Sequence, residues 1–594
     1  MLNLDMFNRP IDFYGFFLAL SLLFTASSGS AAPAGPFAPA DAIDLHPDPD
    51  IVEVELVARE DYVDFGTGIP TKVWTYNGGI PGPTIRGKVG DTLIVHFHNC
   101  LDEDTTIHWH GMEVPANMDG SHIAQLPVKP GNCDLGREGN DYFRYEFRLL
   151  HASLFWYHPH IRTNVQVEKG LYGALLVEDP EANRDLGLPT NEHILVLDDI
   201  LLDADGRVAD PFPDDPLENA ATQLNGREGN VLLVNGVTQP LAKIRRGQPH
   251  RLRIVNAANA RFMRVSIPGH KLYRIGGDGG LLESPLALEP IELVPDGGHD
   301  GHMTGIAEGS GDMYDEGMPM ISDPDLSKGI LLTPGERADV VFTPHGKGPL
   351  SLEWHDVDRG RHSTFYNDDG SIGIGHAHDD GKRPPEVLMR FKLIANDSPD
   401  DYLPPDPLRA IEPIDTTGAG ILKSMFGHST PDADGNVTFF VQMKPDGSGG
   451  MQPLPFDAVT PGDAYTVTVG ENGIWEVHNM TGGMHNFHTH GFSFQLIETQ
   501  YVDMDDPENN FTVASPYREV KDTILLPARP GARGRSRSIV RLAASFDDTG
   551  REGEVAATGK VPTEDTSGGW LFHCHILEHS ARGMMSFFQV VEPD

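Results

Sequence analysis

One strand pattern, written three times, constrains this chain more than any other feature. A glycine is followed five and seven residues on by apolar side chains and nine residues on by an asparagine. The copies are Gly90, Val95, Phe97, Asn99; Gly247, Leu252, Ile254, Asn256; and Gly470, Trp475, Val477, Asn479. Apolar residues alternating with period two mark a half-buried β-strand, and the glycine marks the turn it leaves. Three copies predict the same strand in three β-sandwiches, and 594 residues are too many for a single core. The content of 65 Gly and 47 Pro suits a turn-rich all-β chain rather than a helical repeat.

Composition sets the boundaries. Residues 45–180 form the first expected domain, closed by LLVED at Leu175 to Asp179, with a short helix possible from Pro180 to Gly187. Residues 190–395 form the second, interrupted at 296–325 by an acidic insertion carrying His299, His302, Met303, Met313, Met318 and Met320. Residues 396–430 are expected as a linker, because Ser398 to Asp415 is rich in Pro and Asp and offers little to a core. Residues 431–594 form the third domain. Residues 1–32 are expected as an export signal, since Phe13 to Ala26 is apolar and is followed by small residues suited to cleavage. That run is shorter than the ~20 residues that span a bilayer, so no stable membrane span is expected after its removal. Arg9 is the lone basic residue ahead of it, which leaves a tethered N-terminus as the alternative.

The repeat also locates the chemistry. Nine and eleven residues beyond the repeated asparagine stand His108 and His110 in the first copy and His488 and His490 in the third. The middle copy has Val265 and Ile267 there, so its domain reads as a spacer. Four segments hold ten of the 27 histidines: IHWHG from Ile107, FWYHPH from Phe155, HNFHTHG from His485 and WLFHCHILEH from Trp570. On a strand, the two imidazoles of His-x-His share one face and the residue between them takes the other. Neutral imidazoles favour copper or zinc over magnesium or calcium. Cys574, between His573 and His575, must therefore serve a second site on the opposite face. With His485, His579 and Met584 it makes the two-histidine, one-thiolate set with a weak thioether that suits blue copper. The other eight histidines, paired as His108 with His110, His158 with His160, His488 with His490 and His573 with His575, can hold three copper ions between the first and third domains.

These four segments resemble those of the multicopper oxidases, in particular the three-domain laccase-like branch, over about Val52 to Val591. The resemblance implies three cupredoxin-like Greek-key β-sandwich domains and four copper ions per chain. It implies a type 1 copper at His485, Cys574, His579 and Met584, a type 2 copper at His108 and His488, and a type 3 pair at His110, His158, His160, His490, His573 and His575. Asp119 matches a family acid near the cluster and is the candidate proton donor. Two positions depart from the family. Asn486 replaces the usual proline after the first histidine of its segment, which bears on the rigidity of that loop. Ser580 stands where some bacterial relatives carry an acid.

The expected function is a laccase-type oxidase, taking single electrons from phenols or aromatic amines and reducing O₂ to water. His485 or His579 is the expected entry point, with Asp198, Asp199 and Glu578 as candidates for orienting the substrate. Two alternatives stand beside it: a cuprous or other metal-ion oxidase using the 296–325 insertion, and a non-enzymatic copper-binding scaffold. A formal charge of −42 repels phosphate backbones and excludes nucleic acid as a partner. Three cysteines build no disulfide framework. Export would allow a Cys100–Cys133 disulfide, two unpaired structural cysteines being the other possibility, and the protein is expected to be periplasmic or extracellular.

Overall fold

The computed structural model describes residues 38–291, 326–367, 371–376, 383–395, 402–505, 507–530, 536–558, 562 and 568–593. The expected signal at 1–32 and the Met/His insertion at 296–325 lie outside the described residues. No described helix is long and apolar enough to cross a membrane.

Each copy of the repeat is the central strand of a sheet. Thr92–Asn99 pairs in parallel with Ile51–Val63 and antiparallel with Tyr142–Arg148. His250–Asn256 pairs in parallel with Glu192–Ile200 and antiparallel with Arg337–Phe342. Asn472–Asn479 pairs in parallel with Gly420–His428 and antiparallel with Ser536–Ser545. In every case a second sheet covers the first, and the apolar residues between them form a core. The chain is all-β, as expected. The linker expected at 396–430 needs correction at its end. Gly420–His428 is a strand of the third sandwich that flanks the repeat strand in parallel, as Ile51–Val63 does in the first, and its alternating Leu422, Ser424 and Phe426 are buried.

The repeated residues do the same work three times. Gly90, Gly247 and Gly470 have φ of +95°, +74° and +82°, a turn conformation that a Cβ disfavours. Each donates its N–H across the turn, to Leu149, Pro344 and Phe546 respectively. Each asparagine is fully buried and bolts down the loop that follows its strand. Asn99 Nδ2 donates to the carbonyls of Glu103 and Val128 while Oδ1 accepts from Leu101 N. Asn256 does likewise with Arg261, Leu332 and Ala258, and Asn479 with Gly483, Pro527 and Thr481. In the first and third domains that loop leads directly into the His-x-His strand. Where the outer domains have histidines, the middle one has Val265 and Ile267 in its core.

Cys100 and Cys133 form a disulfide across 33 residues, a closure worth about 3 to 4 kcal/mol in the chain-entropy account. The polar stretch after Asp179 forms a helix from Pro180 to Asp185, capped by the Asp179 carboxylate.

Replacing Asn256 by Ala leaves three buried backbone groups without partners. Chemical denaturation of N256A is expected to show a loss of about 2 to 4 kcal/mol.

Candidate metal centre

Strand register brings the histidines together. His108–His110 is a short strand paired antiparallel with Ser153–His158, which sets His108 opposite His158. In the third domain His485–Thr489 runs between Thr523–Leu526 and Trp570–His573, with His488 opposite His573. The two His-x-His edges meet face to face. The His108 ring stacks on His490 and the His110 ring on His488, each at 3.8 Å between centroids. Within this buried layer the ligand atoms of His110, His158 and His575 lie within 4.8 Å of one another, as do those of His160, His490 and His573. His108 and His488 share a third such group with His110.

Burial holds most of these rings neutral. It drives His110, His158, His160, His490, His573 and His575 well below the usual imidazole range, and neighbouring histidines push the same way. Neutral rings present lone pairs, and the hydrogen bonds show which nitrogens carry them. His108, His158, His488 and His573 each donate Nδ1–H to a backbone carbonyl, those of Asp119, Pro159, Asp522 and Cys574. Nε2 of His108, His158 and His488 is buried with no hydrogen-bond partner, and both ring nitrogens of His575 are likewise orphaned. His490 Nδ1 points at the Asp119 carboxylate at 3.0 Å, so its Nε2 lone pair faces that of His573 at 3.1 Å. Two lone pairs at that distance repel, and buried nitrogens without partners are costly. Cations between these rings relieve both problems, and an all-imidazole donor set suits copper. The residues fit the metal.

A second group lies on the other face of the strand. Cys574 Sγ is 3.7 Å from His485 Nδ1 and 3.6 Å from His579 Nδ1, and those two nitrogens are 3.1 Å apart. His579 Nε2 donates to the Leu224 carbonyl, leaving Nδ1 as its donor toward the thiol. Burial pushes the Cys574 thiol up to about 12. A cation there would take up the thiolate, as in other metal–thiolate sites. Met584 is buried in the same core, with Cys574 N donating to its carbonyl and its own N donating to His579 O. The cysteine and its two flanking histidines thus serve separate groups, as the alternation predicts.

Charged residues brace the cluster. Asp119 accepts from His490, and its carbonyl from His108. Burial alone would raise its carboxyl, but His490 and His108 outweigh that and hold it well below the usual range. On the opposite side Asp522 contacts His110 Nε2 at 3.2 Å and takes a two-pronged bond from Arg337 at 2.7 and 2.5 Å. Arg337 comes from the middle domain, and its Nε also donates to the Leu154 carbonyl of the first. Gly111, directly after His110, has φ +82°, and a Cβ there would meet Arg337 Nη2 and Asp522 Oδ2. The glycine of HWHG therefore makes room for this ion pair. Asn486 also crosses between domains. Its Oδ1 accepts from His575 N at 2.7 Å, and its Nδ2 donates to Thr333 Oγ1 and the Pro334 carbonyl. Where the family usually has a rigid ring, this chain has a hydrogen-bonded clasp.

Every sequence-predicted metal residue lies in one of these two groups or, for Met584, directly against one, and the predicted proton donor Asp119 lies against the histidine cluster. The entry point and the substrate acids are different. His485 and His579 are 3% and 1% exposed: Thr481 Oγ1 meets the outer nitrogen of His485 at 2.8 Å, and the Leu224 carbonyl of helix Pro216–Asn225 occupies the outer edge of His579. Asp198, Asp199 and Glu578 face the interior rather than a substrate. Asp198 receives the Tyr172 hydroxyl, Asp199 pairs with Arg261, and Glu578 takes bonds from Asn259 and the Arg227 backbone. Ser580 Oγ caps the Leu577 carbonyl. Sequence reasoning missed Asp522 and Arg337. An Asp in KDTILL and an Arg in ERADVV carry no local signal, and only strand register places them beside the histidines.

Three sequence profiles described as multicopper oxidase match residues 58–182, 199–295, and 432–544 with 552–594. A multicopper oxidase of Mycobacterium tuberculosis is 29% identical over 96% of this chain and 93% of its own. A laccase of Bacillus subtilis is 25% identical over 88% of this chain and 91% of its own. A solved multicopper oxidase from Campylobacter jejuni superposes with a TM-score of 0.67 at 23% identity, covering 94% of this chain and 96% of the other. With profiles of one family matching all three sandwiches and the buried histidine and cysteine groups in place, the chain belongs to the multicopper oxidases and is an oxidoreductase.

Proposed function

We propose that the protein is a laccase-type oxidase that takes electrons singly from phenols or aromatic amines and passes them to O₂. The observation that carries this reading is the placement of Cys574, whose sulfur belongs to one buried donor group while its two sequence neighbours belong to another. In this reading His485, Cys574, His579 and Met584 hold a type 1 copper. His108 and His488 hold a type 2 copper, and His110, His158 and His575 with His160, His490 and His573 hold a type 3 pair. Four ions per chain follow from that partition. When bound, copper supplies a one-electron couple at the Cys574 centre and the sites of four-electron O₂ reduction at the histidine cluster.

The chain's own residues supply the rest. Cys574 joins the two centres through its backbone, and its carbonyl adds a hydrogen bond from His573 Nδ1 at 2.8 Å. Asp119 orients His490 and His108, and it sits where a carboxylate can pass protons inward to the cluster. Arg337 and Asp522 hold His110 and His488 from the other side. Burial of the whole layer excludes bulk water from the cluster. The Cys100–Cys133 disulfide supports export to an oxidising compartment, periplasmic or extracellular.

Oxygen uptake measured with a phenol, an aromatic amine and Cu(I) at matched concentrations tests the substrate. The organic reductants should be turned over faster, and turnover of Cu(I) alone would overturn the laccase reading. Cys574→Ser should remove the blue absorption band and all uptake while the histidine cluster retains its copper. Asp119→Asn should lower turnover by about 10²-fold, yet leave anaerobic bleaching of the blue band at its parent rate. Equal slowing of both steps would show that Asp119 serves only to hold the fold.

A further inference from the structure

The imidazoles of the Cys574 centre are sealed from solvent, yet a reductant must reach them electronically. The helix Pro216–Asn225 closes the direct route. Asp215 caps its first turn by accepting from Leu217 N and Glu218 N, and Gln223 ties its last turn to Val437 N and the Gly435 carbonyl. Its Leu224 carbonyl then accepts from the outer nitrogen of His579 at 3.1 Å. Neither ligand imidazole offers an edge to a substrate.

A different path is open. The Phe439 ring stacks on His579 with centroids 4.6 Å apart and planes 24° from parallel. The His428 ring lies 5.7 Å beyond Phe439, and the His362 ring 5.7 Å beyond His428. Phe439 is buried, whereas His428 is partly exposed at the end of strand Gly420–His428, followed by exposed Ser429 and Thr430. His428 Nδ1 donates to the Ser429 carbonyl, which leaves Nε2 as its hydrogen-bond acceptor. The series of rings therefore leads from a buried ligand to His428, a partly exposed residue at the strand end whose Nε2 can accept a bond from a hydroxyl or amine.

We propose that His428 is the docking and electron-entry residue for an aromatic reductant bearing an O–H or N–H donor, with the Phe439 ring carrying the electron inward to His579. The proposal rests on the reading of His485, Cys574 and His579 as a type 1 copper centre. Each phenol gives up one electron and one proton. The electron passes by way of Phe439 to His579, where a copper held by His485, Cys574 and His579 would accept it, the proton leaves to water at the exposed end, and a phenoxyl radical departs. His428 touches the substrate, whereas Phe439 acts only between His428 and the ligand.

The test uses the copper-loaded full chain and its variants His428→Leu and His428→Phe. Three quantities are read: the blue band with its midpoint potential, anaerobic stopped-flow bleaching of that band by hydroquinone, and reoxidation of the pre-reduced protein by O₂. H428L should keep the band, the potential and the reoxidation rate, and should bleach about tenfold more slowly. His428→Phe should recover most of the lost rate by restoring a ring, with a raised half-saturation for hydroquinone because the acceptor nitrogen is gone. Bleaching of H428L within about twofold of the parent overturns the proposal, as does equal slowing in both variants. A parent protein with no blue band would overturn the type 1 reading itself, a failure visible before any variant is made.

Discussion

The ion pair between Arg337 and Asp522 is the interaction on which the arrangement of the cluster depends. It is fully buried, two-pronged and shared among domains: the guanidinium comes from the middle sandwich, the carboxylate from the third, and a further bond reaches the Leu154 carbonyl of the first. Removing one partner of such a pair typically costs about 3 to 5 kcal/mol, since the other charge is left buried. Here the loss would also free one side of His110 and His488. The spacer domain thus contributes no histidine and still fixes the geometry, through Arg337, through Gly335 packed against His110 and His575, and through Thr333 and Pro334 bonded to Asn486.

Clustering so many imidazoles runs against ordinary folding energetics. Several of their nitrogens have no hydrogen-bond partner, and two lone pairs face each other across 3.1 Å. An apolar layer of the same shape would be more stable without metal. Metal binding supplies the missing partners, so folding of this layer and copper loading are thermodynamically linked. The asparagine bolts of the outer domains serve the same end. They fix the loops that deliver His108 and His488, and hold donor atoms in place before metal arrives.

Much of this was legible in the sequence. The glycine-to-asparagine repeat carries its own physics: a turn that needs positive φ, a strand, and a side chain that closes the next loop. It predicts three sandwiches, and its missing histidines identify the spacer. The alternation of His573, Cys574 and His575 separates two donor groups, because side-chain direction on a strand follows from position alone. What escaped is what depends on packing between domains. Asp522, Arg337 and the Leu224 carbonyl become neighbours of the histidines only after distant strands and a helix meet, and the burial of His579 follows from that same helix. The end of the expected linker is a strand instead, because Gly420–His428 follows a Pro- and Asp-rich stretch whose composition masks it.

One chain is predicted to hold a coupled copper cluster in addition to a cysteine-bound copper. Copper analysis combined with electron paramagnetic resonance spin counting on the oxidised, reconstituted protein tests it most directly. The partition of donors predicts about four coppers per chain, of which about two give a signal while the remaining pair, held by the two histidine triads, is silent. A chain that takes up a single copper, or one in which every bound copper gives a signal, would contradict the account.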